Sequence, residues 1–137
     1  MKAATSYKRA LLYLDYSFGS TKAEDELFDS EKHKCHLNLA ACMIELKEYR
    51  QAINECRLAL SLNAGNAKAH YRRGLAHLRL GDFDEAQLDL AEAIRLTANQ
   101  GEGSQVAIKD ALRELEVRRN EYKLRSKQVA TSSLGVG

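Results

Sequence analysis

The chain has 137 residues, of which 45% are apolar, and its 21 basic and 19 acidic residues give a formal net charge of +2 at pH 7. This length and apolar content suit one modest domain with a buried core, and the near balance of charge gives no reason to expect a nucleic-acid or membrane partner. The absence of proline and the abundance of strong helix formers predict an all-α fold.

The first predicted element is a helix over residues 1–18. Its Ala3 and Ala10 stand seven residues apart, as Ala52 and Ala59 do further along the chain, so we interpret it as a counterpart of that later helix. Residues 19–29 are predicted to be an acidic connection. They contain glycine, serine and several acidic residues, a composition typical of a solvated loop. The next helix is therefore expected to begin near residue 30, with Asp29 or Ser30 as its N-cap.

Residues 30–63 and 64–98 form two copies of a repeated unit. A shift of 34 residues superimposes Leu46 on Leu80, Tyr49 on Phe83 and Ala52 on Ala86. Each copy is predicted to contain a helix (about 30–46, then 67–80), a short turn (47–48, then 81–82) and a second helix that starts at Tyr49 or Phe83. The unit is therefore a helix-turn-helix pair.

A C-terminal helix is predicted for residues 105–128. Ile108, Leu112, Leu115 and Tyr122 form one apolar stripe at helical spacing, with charged residues elsewhere. Such a helix covers the last repeat of a stacked array. The small and polar residues 129–137 are expected to be disordered.

The small residues Gly74, Ala86 and Ala93 and the "LGDF" turn resemble the tetratricopeptide repeat. The resemblance implies an all-α superhelix of helix-turn-helix units with a C-terminal capping helix. Residues 30–63 and 64–98 would then be the second and third repeats, and residues 1–18 the second helix of the first. If Met1 is the true start, the first helix of that first repeat is missing.

The first helix of each repeat lines the concave wall of such a superhelix. Helical spacing places one set of side chains on this wall, and a shift of 34 residues relates those of the second repeat to those of the third. The predicted peptide-binding residues are Lys34, Asn38, Lys68, Arg72 and Arg79. Only Glu45 opposes them, so we expect an extended acidic peptide, with Lys and Arg gripping carboxylates and Asn38 bonding its backbone or terminal carboxylate.

The segments "HLNLAAC" and "AKAHYRRG" are similar to the carboxylate clamp of co-chaperone tetratricopeptide domains. Over residues 1–125 the chain resembles the C-terminal domain of the large FK506-binding-type immunophilins. That resemblance implies that Asn38, Lys68 and Arg72 bind the acidic C-terminal tail of a 90-kDa or 70-kDa heat-shock chaperone, ending in Met-Glu-Glu-Val-Asp for the former. The family's other clamp residues lie on the helix that would precede Met1. Neither the isomerase domain nor its activity is expected.

Other interpretations stay open at this point. The basic residues could form an ordinary solvated helix face. The basic helix of residues 105–129 could bind calmodulin, and an apolar face over residues 3–16 could support a homodimer.

No enzyme, cofactor or metal site is expected. The histidines lack a convincing set of companion ligands for zinc, and no catalytic or phosphate-binding motif is present. The three cysteines are an odd number without C-x-x-C spacing, which favours a reduced, cytoplasmic protein in which Cys42 and Cys56 pack in the core. Arg73 is predicted to be structural and to pair with an acidic neighbour.

Overall fold

The computed structural model describes residues 2–16 and 21–133, and all regular secondary structure in these residues is helical. The elements are α1 (Lys2–Tyr16), α2 (Lys22–Glu45), α3 (Tyr49–Leu62), α4 (Ala67–Leu80), α5 (Phe83–Leu96), a 3-10 helix (Glu102–Gln105) and α6 (Val106–Ser133). Consecutive α-helices pack against one another, and α2 also contacts α4. The predicted all-α fold is confirmed.

The turns inside the two repeats use the same backbone conformation. Gly81 ends α4 in the left-handed region with φ of 81°, and Lys47, at the equivalent position after α2, has φ of 60°. At the other end of α4, the Asn66 side chain accepts a hydrogen bond from the backbone N–H of Ala69 at 2.9 Å. These local signals explain why the predicted bounds of α4 and the predicted starts of α3 and α5 agree with the structure.

Small residues let the helices approach closely. Ala52, Ala59, Ala86 and Ala93 are fully buried. A Cβ added to Gly74 would lie 2.9 Å from Leu90 Cγ and 3.2 Å from Asp89 Cβ, so α4 and α5 are too close there for any side chain. The core thus depends on the small positions of the repeat.

The expected start of the second repeat's first helix was wrong. The helix begins at Lys22, within the segment interpreted as an acidic connection, and Thr21 rather than Asp29 or Ser30 caps it. The Thr21 hydroxyl accepts a hydrogen bond from the Glu24 N–H at 3.1 Å. The acidic residues Glu24 and Asp25 in the first turn interact favourably with the positive end of the helix dipole. The acidic residues of this segment therefore lie in the first turns of α2 and not in a loop.

The C-terminal helix is longer than predicted. It continues through residues 129–133, which were expected to be disordered, while residues 134–137 lie outside the described residues. Ile108, Ala111 and Leu115 are buried against the third repeat, and Tyr122 makes an edge contact with Phe83 at a centroid distance of 6.3 Å. The first half of α6 therefore covers the third repeat.

In the described part of the chain, no helix is both long and apolar enough to cross a membrane.

Candidate functional site

The candidate site is the inner face, the side of α2 and α4 that carries Lys34, Asn38, Lys68, Arg72 and Arg79. Arg72 links the two helices: its Nη1 donates a hydrogen bond to the backbone carbonyl of Leu37 at 2.8 Å. Because Leu37 immediately precedes Asn38, this bond holds the half-buried Arg72 guanidinium next to the segment that presents the exposed Asn38 amide. The structure thus holds Arg72 against α2 at the residue that precedes Asn38.

The cations of the inner face divide into paired and unpaired groups. Lys34 Nζ lies 3.3 Å from Glu31, and Arg79 Nη1 lies 2.6 Å from Glu114 on α6. Within residues 2–16 and 21–133, by contrast, neither Lys68 nor Arg72 has an acidic partner. The charge available for an acidic ligand therefore lies on Lys68 and Arg72.

The environment of Arg72 favours an anionic ligand. Burial is the main cause that lowers its pKa, and the Cys56, Tyr71 and Cys42 side chains act in the opposite direction. A guanidinium stays charged even so, because its ordinary pKa is far above neutrality. Arg72 is therefore a partly desolvated charge without a counter-ion, which a ligand carboxylate would stabilise.

Arg73, one residue along α4, has a different role. Its Nε and Nη2 donate to the two carboxylate oxygens of Asp89 on α5, both at 2.8 Å, and this pairing raises the Arg73 pKa. Asp89 Oδ1 is also 3.0 Å from His70 Nδ1. The predicted structural role of Arg73 is confirmed, and it joins the two helices of the third repeat.

Sequence reasoning missed a histidine–carboxylate pair that occurs in both repeats. His36 Nδ1 lies 2.6 Å from Glu55 Oε2, and His70 pairs with Asp89 in the same way. The 34-residue shift relates the members of one pair to those of the other, so superimposing the repeats would have revealed them. They are helix-to-helix contacts of the scaffold.

The remaining histidines and the buried cysteine are also structural. His33 Nδ1 bonds the Ala59 carbonyl at 2.8 Å, while its Nε2 lies 3.0 Å from the Asn66 side-chain nitrogen, and His77 lies 3.3 Å from Asp82. Burial raises the pKa of Cys56 to about 12, despite the opposing charges of Arg72 and Arg73. A fully buried thiol of this kind packs as an apolar residue.

Comparison with known proteins places this geometry in context. The family described as "Tetratricopeptide repeat" matches this chain over residues 67–99, which span α4 and α5. The peptidyl-prolyl cis-trans isomerase FKBP4 of Mus musculus is 33% identical over 108 residues, which is 78% of this chain and 24% of that protein. FKBP42 of Arabidopsis thaliana is 37% identical over 94 residues, covering 67% and 26%. The chain thus spans about a quarter of the length of these relatives.

Solved structures show the same architecture. The C-terminal TPR-containing domain of a Plasmodium falciparum FK506-binding protein superimposes with a TM-score of 0.71 at 25% identity, covering 87% of this chain and 79% of that one. The Arabidopsis OM64 TPR domain gives 0.57 at 25% identity, with coverages of 85% and 97%. The Hsp90 co-chaperone Cns1 of Saccharomyces cerevisiae shares the fold alone, with 0.67 at 20% identity over 98% and 46%. Residues 67–99 therefore match the tetratricopeptide repeat, and the chain is similar to the C-terminal TPR domain of FK506-binding-type proteins.

Proposed function

We propose that this chain is a protein-interaction module of co-chaperone type that binds an acidic C-terminal peptide on its inner face. The observation that carries the proposal is the absence of an acidic partner for Lys68 and Arg72 within the described residues, while Lys34 and Arg79 are already paired. A ligand carboxylate would supply the missing partner. The chain contributes binding and not catalysis.

Each residue of the inner face has a defined part in this proposal. Lys68 and Arg72 grip side-chain or terminal carboxylates, and Asn38 bonds the peptide backbone or the terminal carboxylate. Arg79 and Lys34 extend the basic surface but contribute less, because Glu114 and Glu31 already neutralise them. We propose the tail of a heat-shock chaperone as the ligand, and a cytoplasmic setting with it, because Asn38, Lys68 and Arg72 match the clamp pattern.

Calorimetric titration with a peptide ending in Met-Glu-Glu-Val-Asp tests the proposal. We expect a dissociation constant of tens of micromolar or better, about −6 kcal/mol. The same peptide with a C-terminal amide is the matched control, because it lacks one carboxylate and should bind more weakly. Failure of the free acid to bind, or equal binding by the two peptides, would contradict recognition of an acidic C-terminus.

A second candidate function, calmodulin binding through residues 105–129, is favoured by the exposed second half of α6. Tyr122, Leu124 and Val129 are each at least 60% exposed, and basic residues flank them. An amphipathic basic helix of this kind suits an acidic groove-forming partner. Calcium-dependent capture of calmodulin by the full chain, lost in Tyr122→Glu, would support it, and capture that is independent of calcium would count against it.

A homodimer through α1 is a third proposal. Ala4 and Leu14 are buried, Ala4 in a core cluster with Leu39 and Met43 of α2, whereas Leu12 and Tyr13 are more than half exposed. Contact between two such surfaces would remove them from water. Light scattering should then give twice the chain mass, and Leu12→Glu should restore the monomer; a monomeric wild type across the accessible concentrations would exclude it.

A further inference from the structure

A chain of hydrogen bonds through His33 joins the second repeat to the third. The Nδ1 of this ring lies 2.8 Å from the backbone carbonyl of Ala59 on α3, and its Nε2 lies 3.0 Å from Asn66 Nδ2 at the start of α4. Asn66 Oδ1 in turn accepts a hydrogen bond from the Ala69 N–H at 2.9 Å, and this bond caps α4. Because His33 is buried, its ring nitrogens depend on these partners.

The partners determine which nitrogen of the ring carries the proton. A carbonyl oxygen only accepts, so Nδ1 of His33 donates to Ala59. The cap orients the Asn66 amide, because its oxygen faces the Ala69 N–H and its nitrogen therefore faces His33. An amide nitrogen only donates, so Nε2 of His33 accepts. The arrangement fits the neutral imidazole with its proton on Nδ1.

We infer that protonation of His33 removes the cap of α4, which makes the contact between the two repeats sensitive to pH. A second proton goes to Nε2, because Nδ1 already carries one. Nε2 and the Asn66 amide nitrogen would then be two donors that face each other. Rotation of the amide gives the charged ring an oxygen, and a charge-assisted bond is stronger than the neutral one it replaces. The rotated amide, however, turns its nitrogen towards the Ala69 N–H, and the cap is lost.

The other groups around His33 do not replace this acceptor. Glu26 and Asp29 of α2 are the titratable residues that line the cleft of about 340 Å³ beside the ring. The residues that face the ring from α3 and α4 are uncharged, namely Ala59, Leu62, Asn63 and Asn66. Within the described residues the ring bonds Ala59 and Asn66 and neither carboxylate. An added proton on Nε2 is therefore accommodated at the Asn66 amide.

The His70 ring shows why His33 differs from it. Nδ1 of His70 faces Asp89 Oδ1 at 3.0 Å, and its Nε2 faces the Ala64 carbonyl at 3.1 Å. Both partners accept, so a proton on each nitrogen suits this ring without the loss of a bond. His33 has an acceptor on one side and a donor on the other, so an added proton there breaks a contact.

The loss of the cap reaches the inner face through Lys68. This lysine lies two residues after Asn66, in the first turn of α4. A helix that loses its N-cap frays in this turn, because an N–H group of the turn loses its acceptor. The effect on binding rests on the proposed function: affinity for the acidic peptide should fall about threefold when His33 takes up a proton.

A nuclear magnetic resonance titration of the full chain tests the inference without a ligand. Histidine ordinarily changes charge between about pH 8 and about pH 5. At about pH 7.5 the ring nitrogen resonances of His33 should show a proton on Nδ1 and none on Nε2. On acidification, the Ala69 amide resonance should shift with the same midpoint as Nε2. A proton on Nε2 at about pH 7.5, a His33 ring that stays neutral down to about pH 5, or an Ala69 resonance that does not follow His33 would overturn the inference.

Three variants separate this response from other titrations. His33→Gln offers a donor to Ala59 and an acceptor to Asn66 without taking up a proton, so the Ala69 shift should disappear. Asn66→Asp caps α4 and accepts from the charged ring at once, so it should also make Ala69 insensitive. His77→Gln, the matched control at the other end of α4, should titrate like the wild type. An Ala69 shift that persists in His33→Gln or Asn66→Asp would contradict rotation of the amide.

Calorimetry with the Met-Glu-Glu-Val-Asp peptide at about pH 7.5 and about pH 5.5 tests the effect on Lys68. Between these values the wild type and His77→Gln should lose about threefold more affinity than His33→Gln. Equal losses in all three would overturn the link to binding. Failure of the peptide to bind at either pH would remove the proposed function and this link with it, whereas the Ala69 titration decides the cap independently.

Discussion

The second repeat and the third repeat share a scaffold and differ in the charges that they present. Both place a histidine on the first helix against a carboxylate on the second, His36 with Glu55 and His70 with Asp89. Both also turn through a residue with positive φ. On the inner face, however, Lys34 and Asn38 of the second repeat are a paired lysine and a neutral amide, and their third-repeat equivalents are two cations without acidic partners in the described chain.

This difference separates what the repeat needs from what a ligand needs. Contacts between helices recur at each period because every unit must pack in the same way. The inner-face positions vary because packing does not determine them. The third repeat, which also contains the Arg73–Asp89 pair, should therefore supply most of the rigidity and most of the peptide affinity.

Removing the Asp89 carboxylate should destabilise the fold more than removing its second-repeat equivalent, Glu55. Asp89 accepts bonds from Arg73 and His70 and is only 7% exposed in its side chain, whereas within residues 2–16 and 21–133 the Glu55 carboxylate pairs with His36 alone. Asp89→Ala leaves a half-buried guanidinium without its partner and should lower the free energy of unfolding by about 3 kcal/mol. Glu55→Ala should cost about 1 kcal/mol. Urea unfolding measures both, and equal losses would contradict the greater rigidity of the third repeat.

The second prediction compares equivalent positions of the inner face. Arg72→Ala should weaken binding of the acidic peptide by about 2 kcal/mol, because a charge-assisted bond is lost. Asn38→Ala should weaken it by about 1 kcal/mol. Calorimetry gives the affinities, and urea unfolding of the same variants shows whether loss of the Arg72 bond to Leu37 disturbs the fold. A larger loss for Asn38→Ala would contradict the expectation that the third repeat supplies most of the peptide affinity.

The third prediction concerns the closest approach of the helices. Gly74 faces Leu90 in the third repeat, and the equivalent residues of the second are Ala40 and Cys56, so a larger residue on one helix accompanies a smaller one on the other. Gly74→Ala should destabilise the fold by about 1–2 kcal/mol through overpacking. Combining it with Leu90→Cys should cost less than the sum of the single changes. A thermal double-mutant cycle measures this, and strict additivity would disprove the exchange.

The smallest expected effect tests the two turns. Lys47 adopts a left-handed conformation that glycine occupies at Gly81, and a residue with a Cβ is strained there. Lys47→Gly should therefore stabilise the chain by about 0.5–1 kcal/mol. Denaturant titration at fixed pH reports the change, and a loss of stability would show that the Lys47 side chain makes a contribution beyond its backbone.

Much of the fold could be predicted because the same helix-turn-helix pattern occurs twice in the sequence, in residues 30–63 and 64–98. The bounds of α4 and the starts of α3 and α5 follow from the 34-residue shift together with Asn66, the turn at Lys47 and Gly81. The start of α2 was misjudged because acidic residues were interpreted as a loop, although Thr21 and Glu24 have the spacing of a helix cap.

The candidate site was less predictable because its electrostatics depend on contacts between distant residues. Helical spacing identifies which side chains share the inner face, and the proximity of Lys34 to Glu31 in the sequence could have indicated their pairing. The pairing of Arg79 with Glu114 and the bond from Arg72 to Leu37 join separate helices. Sequence periodicity carries no information about such contacts.

The most direct test of the central claim is a calorimetric comparison of two equivalent lysines. Lys68→Ala and Lys34→Ala each remove one positive charge from the inner face, at positions related by the 34-residue shift. We expect Lys68→Ala to weaken binding of the Met-Glu-Glu-Val-Asp peptide about tenfold and Lys34→Ala to change it less than twofold, because of these two lysines only Lys34 is already paired within the described residues. Equal losses, or a larger loss for Lys34→Ala, would contradict it.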